Sequence, residues 1–381
     1  MASSPDRRIL ERLYRAALAG ADPEKAVLRA LREPRIRSAL AGARRVGVFA
    51  AGKAAAGMAR AALDVLGPAP FFAVLPRRHR AAGLPRRSLA FASHPEPDAS
   101  SAAAARRALR FFAGFGEGDV LLCLISGGAS SLLALPRPGL TLAAKRKVVR
   151  ALVESGASIL AVNRLRTSLS SVKGGRLGRA TRARLITLAL SDVPGDRAAA
   201  IGSGPTVRGA RGDLVRIVGS NAAGLDAAAL EARRLGLAVA REKPRLAGES
   251  AAAGRRLARR ASALAPGTIL IAGGETVVTL GAASGRGGRC LELAAAAATE
   301  IAGSSGISML AAGSDGRDGT AGAAGAFADG STANRARRSG LDVEDALKSH
   351  DTRRLFARLR GLFVTGPTGG NVGDWVFVLR R

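Results

Sequence analysis

Short apolar runs that end in polar, glycine-bearing turns recur through the first two hundred residues, alternating with Ala/Leu/Arg stretches of helical pattern. Residues 46–50 read as a strand, Ala51-Gly52-Lys53 as a tight turn and residues 54–66 as a helix. Residues 120–125 repeat the scheme and pass through Ser126-Gly127-Gly128 into another helical pattern, while Arg184–Leu190 runs into Ser191-Asp192-Val193-Pro194-Gly195-Asp196. Strands alternating with helices build parallel sheets. Open sheets of that kind take ligands just beyond the carboxyl ends of their strands, which is where the chemistry-capable residues fall in each case.

At 381 residues the chain exceeds what one hydrophobic core usually supports, so two domains are expected. A polar, basic stretch at residues 240–260 reads as the linker, with the boundary near 245. This gives domains 1–245 and 246–381, the second with strands at 268–272, 308–312 and 362–365. Hydrophobic residues at 47% and a mean hydropathy of +0.12 exclude global disorder. No apolar run reaches the roughly 18 residues of a membrane helix, and residues 1–20 are too charged for a secretory signal, so a cytoplasmic protein is expected. Cys123 and Cys290 lie in unrelated contexts, which speaks against a disulfide framework or a zinc module.

The formal net charge of +30 raises nucleic acid as a partner. Only seven of the 59 basic residues are Lys, however, and the arginines fall as scattered pairs such as Arg106/Arg107 and Arg255/Arg256. Aromatic residues, at 3%, offer little to stack on bases. The expectation is a solvated coat that attracts small anions, with no specific nucleic-acid partner and no membrane.

Ser126, Gly127, Gly128 and Ser130 lie where backbone N–H groups and hydroxyls can cradle a phosphate at a strand-to-helix turn. The same pattern also fits a plain Gly-rich turn with a serine cap. It is no Walker A loop, and Ala50-Ala51-Gly52-Lys53-Ala54 lacks the Gly-x-Gly-x-x-Gly of dinucleotide sites. Lys53, a scarce lysine at a turn, suits a phosphate as a compact point charge, and Lys173-Gly174-Gly175-Arg176 forms a second basic Gly-rich element. Asp192 and Asp196 can bind Mg²⁺ or accept a hydroxyl proton, or simply cap their turn. The second region adds Gly273-Gly274-Glu275-Thr276, a Gly-flanked Arg289, Asp315-Gly316-Arg317-Asp318-Gly319, and a segment from Thr365 to Asp374 through Asn371. A lysine, anion cradles, paired aspartates and a Gly-flanked arginine together describe phosphoryl transfer shared between two domains. No Ser/His/Asp order is available, because His79, His94 and His350 show no partner in the sequence.

Taken in order, these motifs resemble the glycerate 2-kinases that carry a C-terminal MOFRL domain. The resemblance rests on Gly52-Lys53-Ala54, Ser93-His94-Pro95-Glu96-Pro97-Asp98, the Ser126 loop, Ser155-Gly156-Ala157-Ser158-Ile159, Asn163 with Arg166, the Lys173 loop, Ser191 to Asp196, Ser203 to Thr206 and the elements after Gly273. It runs from about residue 10 to the end of the chain. It implies a Rossmann-like parallel-sheet N-terminal domain with a smaller α/β second domain, and an active site in the cleft between them. It also implies ATP- and Mg²⁺-dependent phosphorylation of D-glycerate to 2-phosphoglycerate. Lys53, Asp192 and Arg289 would then be catalytic. Ser126, Gly127, Gly128, Ser130, Lys173, Gly174 and Gly175 would hold the nucleotide. Asn163, Arg166, Glu275, Asp315 and Asn371 would hold the substrate, and Asp192 with Asp196 the metal.

The chain departs from the family pattern at Thr167-Ser168, Cys290-Leu291, Thr320-Ala321-Gly322 and Gly370. The alternatives are an NAD(P)-dependent hydroxypyruvate reductase, or a divergent relative that acts on another small hydroxy acid or only binds anions. Oligomeric state is left open, a homodimer being one option.

Overall fold

A computed structural model describes residues 4–77, 79, 81, 83–155, 159–281 and 285–381. Of the Ser155-to-Ile159 motif, residues 156–158 lie outside the described residues. The chain forms two compact units, one spanning Asp22–Ser220 and the other joining the segment that ends at Ala21 to Asn221–Arg381.

The Asp22–Ser220 unit is built on six strands: β1 (Arg45–Ala51), β2 (Phe71–Pro76), β3 (Leu89–Ala92), β4 (Asp119–Ile125), β5 (Arg184–Leu190) and β6 (Leu214–Gly219). All pair in parallel, in the order β3-β2-β1-β4-β5-β6. This is the doubly wound order, and its direction reverses between β1 and β4. Every residue of β4 is buried, as expected of a central strand covered on both faces. Phe49 of β1 packs edge-on against Phe112 with ring centroids 5.0 Å apart, and both rings are fully buried. Each such ring contributes on the order of 1.5–3 kcal/mol.

The other unit holds β7 (Ala238–Arg241), β8 (Thr268–Gly274), β9 (Ile307–Gly313), β10 (Gly325–Asp329), β11 (Leu362–Phe363) and β12 (Asp374–Arg380). Their order is β11-β10-β9-β12-β8-β7, parallel only between β7 and β8. The run expected at 362–365 is a strand only at its first two residues. Beneath the sheet the helix Arg289–Glu300 is buried from Cys290 to Ala298. Its alanines admit close neighbours, and a side chain at Gly254 of the helix Ser250–Ser262 would strike the Leu293 carbonyl.

The stretch read as a linker at 240–260 is folded, containing the end of β7 and most of the helix Ser250–Ser262. Its Ala253, Leu257, Ala258 and Ala261 share a buried face, while Arg255, Arg256, Arg259 and Arg260 take the opposite face and pair with Glu344, Glu242 and Glu300. Residue 245 therefore falls inside one compact unit. The first helix, Pro5–Gly20, joins the same unit because Leu10, Leu13, Tyr14 and Ala17 are fully buried there and the Tyr14 hydroxyl donates to the Gly313 carbonyl at 2.8 Å. Among the described residues no helix is long and apolar enough to cross a membrane.

Candidate active site

Where the order of the parallel sheet reverses, the turns after β1 and β4 are stitched together. Ser126 N–H donates to Ala51 O at 3.0 Å, and Lys53 N–H donates to Gly127 O at 2.9 Å. Ala54 N–H donates to the Ser126 hydroxyl at 3.0 Å. Gly52 adopts φ +130°, and a Cβ there would collide with Ser126, so only glycine lets the two turns approach this closely. Ser126 is buried and its hydroxyl already accepts a bond from the neighbouring turn, so its visible work is to join the loops.

Three chemistry-bearing side chains surround the next two residues. The Asp192 carboxylate, just past β5, lies against Gly127, where a Cβ would overlap it. A Cβ at Gly128 would sit 3.1 Å from the His94 ring and 3.4 Å from Cγ of Lys53. Lys53, His94 and Asp192 thus flank one Gly-Gly step at the carboxyl edge of the sheet. His94 has a place here that its sequence context did not reveal. The helix expected after this turn is a single turn, Ala129–Leu132, too short to add the field of a full helix dipole.

Lys173 is buried, and its ammonium donates to the Ser130 hydroxyl at 2.5 Å, which lies 3.1 Å from the Ser203 hydroxyl. Gly174 N–H and Gly175 N–H donate to the carbonyls of Ser203 and Gly204 at 2.9 and 2.7 Å, so these glycines dock their loop onto the 203–204 turn. Burial, then the nearby cations Lys145 and Arg166, bring Lys173 down to about 7. Burial, then Arg166 and Arg176, bring Lys145 down to about 8. Arg166 is part-buried on the helix Ile159–Ser168. Asn163 stands on the same helix, with its side chain outside the described residues.

Asp196 sits at φ +47° in the turn after β5, and its Oδ1 is buried without a partner among the described residues. No group of three or more His, Cys, Asp or Glu able to hold a metal ion occurs among the described residues. Mg²⁺ is commonly bound through one or two carboxylates together with substrate phosphates, and an orphaned Asp196 oxygen, four residues beyond Asp192 in the same turn, is of the type such a donor set uses.

In the other unit, antiparallel pairing sets Asp374 opposite both Gly274 and Gly313, at the ends of β8 and β9. Arg289 opens the buried helix, and its Nε and Nη2 reach Asp374 at 3.0 and 3.1 Å while Nη1 reaches Glu275 at 2.9 Å. Burial raises the Asp374 carboxyl and Arg289 opposes that shift. Asp318 caps the same helix, accepting from Cys290 and Leu291 N–H at 3.1 and 2.8 Å, and burial pushes its carboxyl up to about 7. Asp315 accepts from Arg317 N–H at 3.0 Å, and Asn371 accepts from Gly373 N–H at 3.4 Å. Glu292 is buried and meets His350 Nδ1 at 2.7 Å. Glu275, Arg289, Asp315 and Asn371 all lie in this unit, whereas the other expected site residues lie in the unit with the parallel sheet.

Family models match residues 9–231 (Domain of unknown function, DUF4147) and residues 268–374 (MOFRL family). A protein of Pyrococcus horikoshii named "Glycerate 2-kinase" is 33% identical over 98% of this chain and 97% of its own. One of Agrobacterium vitis named "Putative hydroxypyruvate reductase" is 38% identical over 97% of this chain and 93% of its own. The crystal structure of a glycerate kinase from Thermotoga maritima superposes with a TM-score of 0.88 at 32% identity, covering 98% of this chain and 99% of that one.

Proposed function

Because this chain belongs to the glycerate 2-kinase family with a C-terminal MOFRL domain, we propose that it phosphorylates the 2-hydroxyl of D-glycerate at the expense of ATP. The observation that supports this most is the grouping of Lys53, His94 and Asp192 around Gly127-Gly128, at the reversal point of a doubly wound sheet. Phosphoryl transfer demands positioning and charge stabilisation more than covalent help from the protein.

In this reading Asp192 accepts the proton of the attacking 2-hydroxyl. The hydroxyl oxygen bonds to the γ-phosphorus of ATP, the bond to the β–γ bridging oxygen breaks, and ADP leaves. Lys53 neutralises the charge that grows on the phosphoryl oxygens. Gly127 and Gly128 carry no side chain to block the approach of a phosphate. Lys173, Ser130 and the loop through Gly174 and Gly175 sit on the nucleotide side, and Asn163 and Arg166 serve the acceptor acid. Arg289 is held by buried Asp374, so its exchange partner is half-exposed Glu275, whose place a substrate carboxylate or phosphate can take. Asp315 and Asn371 complete that lining. Asp192 and Asp196 would hold Mg²⁺, which when bound neutralises phosphate oxygens.

A coupled assay with ATP, Mg²⁺ and D-glycerate, scored for ADP release and for the phosphorylated carbon by ³¹P NMR, tests the reading. The name of the Agrobacterium relative points to the alternative, hydroxypyruvate reduction with NAD(P)H, which the relatives named for glycerate kinase activity do not favour. The turn after β1 lacks the Gly-x-Gly-x-x-Gly fingerprint for it. Oxidation of NADH or NADPH by hydroxypyruvate, with no ADP released from ATP and glycerate, would replace the kinase reading with that one.

A further inference from the structure

Lys145 belongs to no motif and lies in the helix Leu142–Glu154, yet it is only 6% exposed and its ammonium is buried without a hydrogen-bond partner among the described residues. An unpaired buried charge is among the costliest features a fold can carry. Its charged surroundings make it costlier. Arg166 and Arg176 bear on Lys145, and Lys145 and Arg166 bear on Lys173, all of them cations. Among the described residues none of the four makes an ion pair. Arg176 is occupied otherwise, since its Nη1 donates to the Thr167 and Lys173 carbonyls at 2.7 and 3.1 Å. That leaves Lys145, Arg166 and Lys173 as a group of basic side chains with no counter-charge among the described residues.

We propose that Lys145, Lys173 and Arg166 together hold one phosphate group. A dianion answers three neighbouring cations better than a carboxylate does, and compact ammonium groups bind phosphate as point charges beside a guanidinium fork. The Ser130 and Ser203 hydroxyls, 3.1 Å apart and joined to Lys173 through Ser130, supply neutral donors at the same place. The phosphate comes either from the tail of a nucleotide or from free inorganic phosphate. In the first case the site rests on the kinase reading and deepens it, taking Arg166 from the acceptor acid to the nucleotide phosphate beside Lys173. Binding restores to the lysines the protons that burial and mutual repulsion remove, so occupancy is coupled to proton uptake.

Isothermal titration of the whole protein at pH 8.5, in two buffers of different ionisation enthalpy, tests this with inorganic phosphate, ADP, adenosine and D-glycerate as probes. Phosphate is already a dianion at that pH, so any protons taken up go to the protein. Phosphate or ADP should bind with net proton uptake, and adenosine should not. Lys145→Met should weaken binding at least tenfold and reduce the uptake, and Arg166→Gln should weaken it as well. In phosphate-free buffer Lys145→Met should melt no lower than the wild type, because it removes a buried amino group that has no hydrogen-bond partner among the described residues. Dependence on Lys145 for both anions identifies the nucleotide tail, and dependence for inorganic phosphate alone identifies the free ion. The site is overturned if Lys145→Met binds both anions like the wild type, if D-glycerate alone shows the Lys145-dependent uptake, or if that variant melts several degrees lower without phosphate. Wild-type protein that binds phosphate in this Lys145-dependent way but releases no ADP from ATP and D-glycerate would sink the kinase reading and leave this site standing.

Discussion

The backbone N–H of Lys53 donates to the carbonyl of Gly127 at 2.9 Å, which separates what Lys53 does for the fold from what its side chain does for chemistry. The bond survives any substitution except proline. Lys53→Ala should therefore leave thermal unfolding nearly unchanged while kcat for glycerate phosphorylation falls by about 10²–10³, the usual cost of removing a donor that acts on the transition state. Lys53→Arg should recover little, since a planar fork cannot replace a point charge beside the Gly127-Gly128 step. Turnover of Lys53→Ala near the wild-type level would remove the phosphoryl group from this end of the sheet.

Ser126 predicts the opposite pattern. Its hydroxyl is the acceptor for Ala54 N–H in a buried turn, and Ser126→Ala leaves that N–H unpaired. Stability should fall by roughly 1–3 kcal/mol. Denaturant unfolding measures the loss. A variant as stable as the wild type but unable to bind nucleotide would show instead that the hydroxyl serves the ligand.

The strands that position these residues were legible because β1, β4 and β5 are runs of apolar side chains, buried on both faces and punctuated by turns no helix would tolerate. Residues 240–260 resemble a linker in sequence for a physical reason. Arginines on the outer face of the helix Ser250–Ser262 raise the local polarity to that of a linker, while the inner face of Ala253, Leu257 and Ala261 is small enough to be overlooked. Placement of the Pro5–Gly20 helix with the second sheet depends on Tyr14 reaching Gly313, a pairing across 299 positions that no local pattern encodes. Lys53, Asp192 and Arg289 were visible because glycine or proline turns mark their loops. His94 and Lys145 were not, because His94 meets the turn after β4 from the end of β3, with two strands between, and Lys145 shows its surroundings only once Arg166 and Arg176 are folded near it.

Arg289 bridges two carboxylates, so its removal should be felt twice. Arg289→Ala strands the buried Asp374 and should cost about 3 kcal/mol, the low end for a buried pair because Arg289 is itself partly exposed, with kcat lowered as well. Arg289→Lys keeps the charge but cannot span Asp374 and Glu275 together, so it should restore stability more than activity. Glu275→Gln tests the exchange: with the competing carboxylate neutralised, KM for glycerate should fall or hold. A rise of tenfold would mean that Glu275 itself binds the acceptor.

Asp318 should make stability depend on pH in a way set by burial. Its carboxyl is pushed up to about 7, despite two N–H groups of the helix Arg289–Glu300 that favour the charged form. An unfolded aspartate titrates near 4, so the folded protein holds this proton more tightly than the unfolded chain does. The stabilisation is fully present below about pH 4 and is lost as pH rises through about 7. At about 1.4 kcal/mol per pKa unit the contribution amounts to a few kcal/mol. Asp318→Asn carries no titrating proton and keeps one of the two helix-capping bonds through its amide oxygen. Its stability relative to the wild type should therefore be lowest at acid pH and improve steadily between pH 4 and 8. Subtracting the two curves also removes the opposing slope expected from Lys145 and Lys173, which are common to both proteins. A stability difference that stays flat across that range, followed by denaturant unfolding, would show that Asp318 enters the fold as a carboxylate held by its two N–H donors.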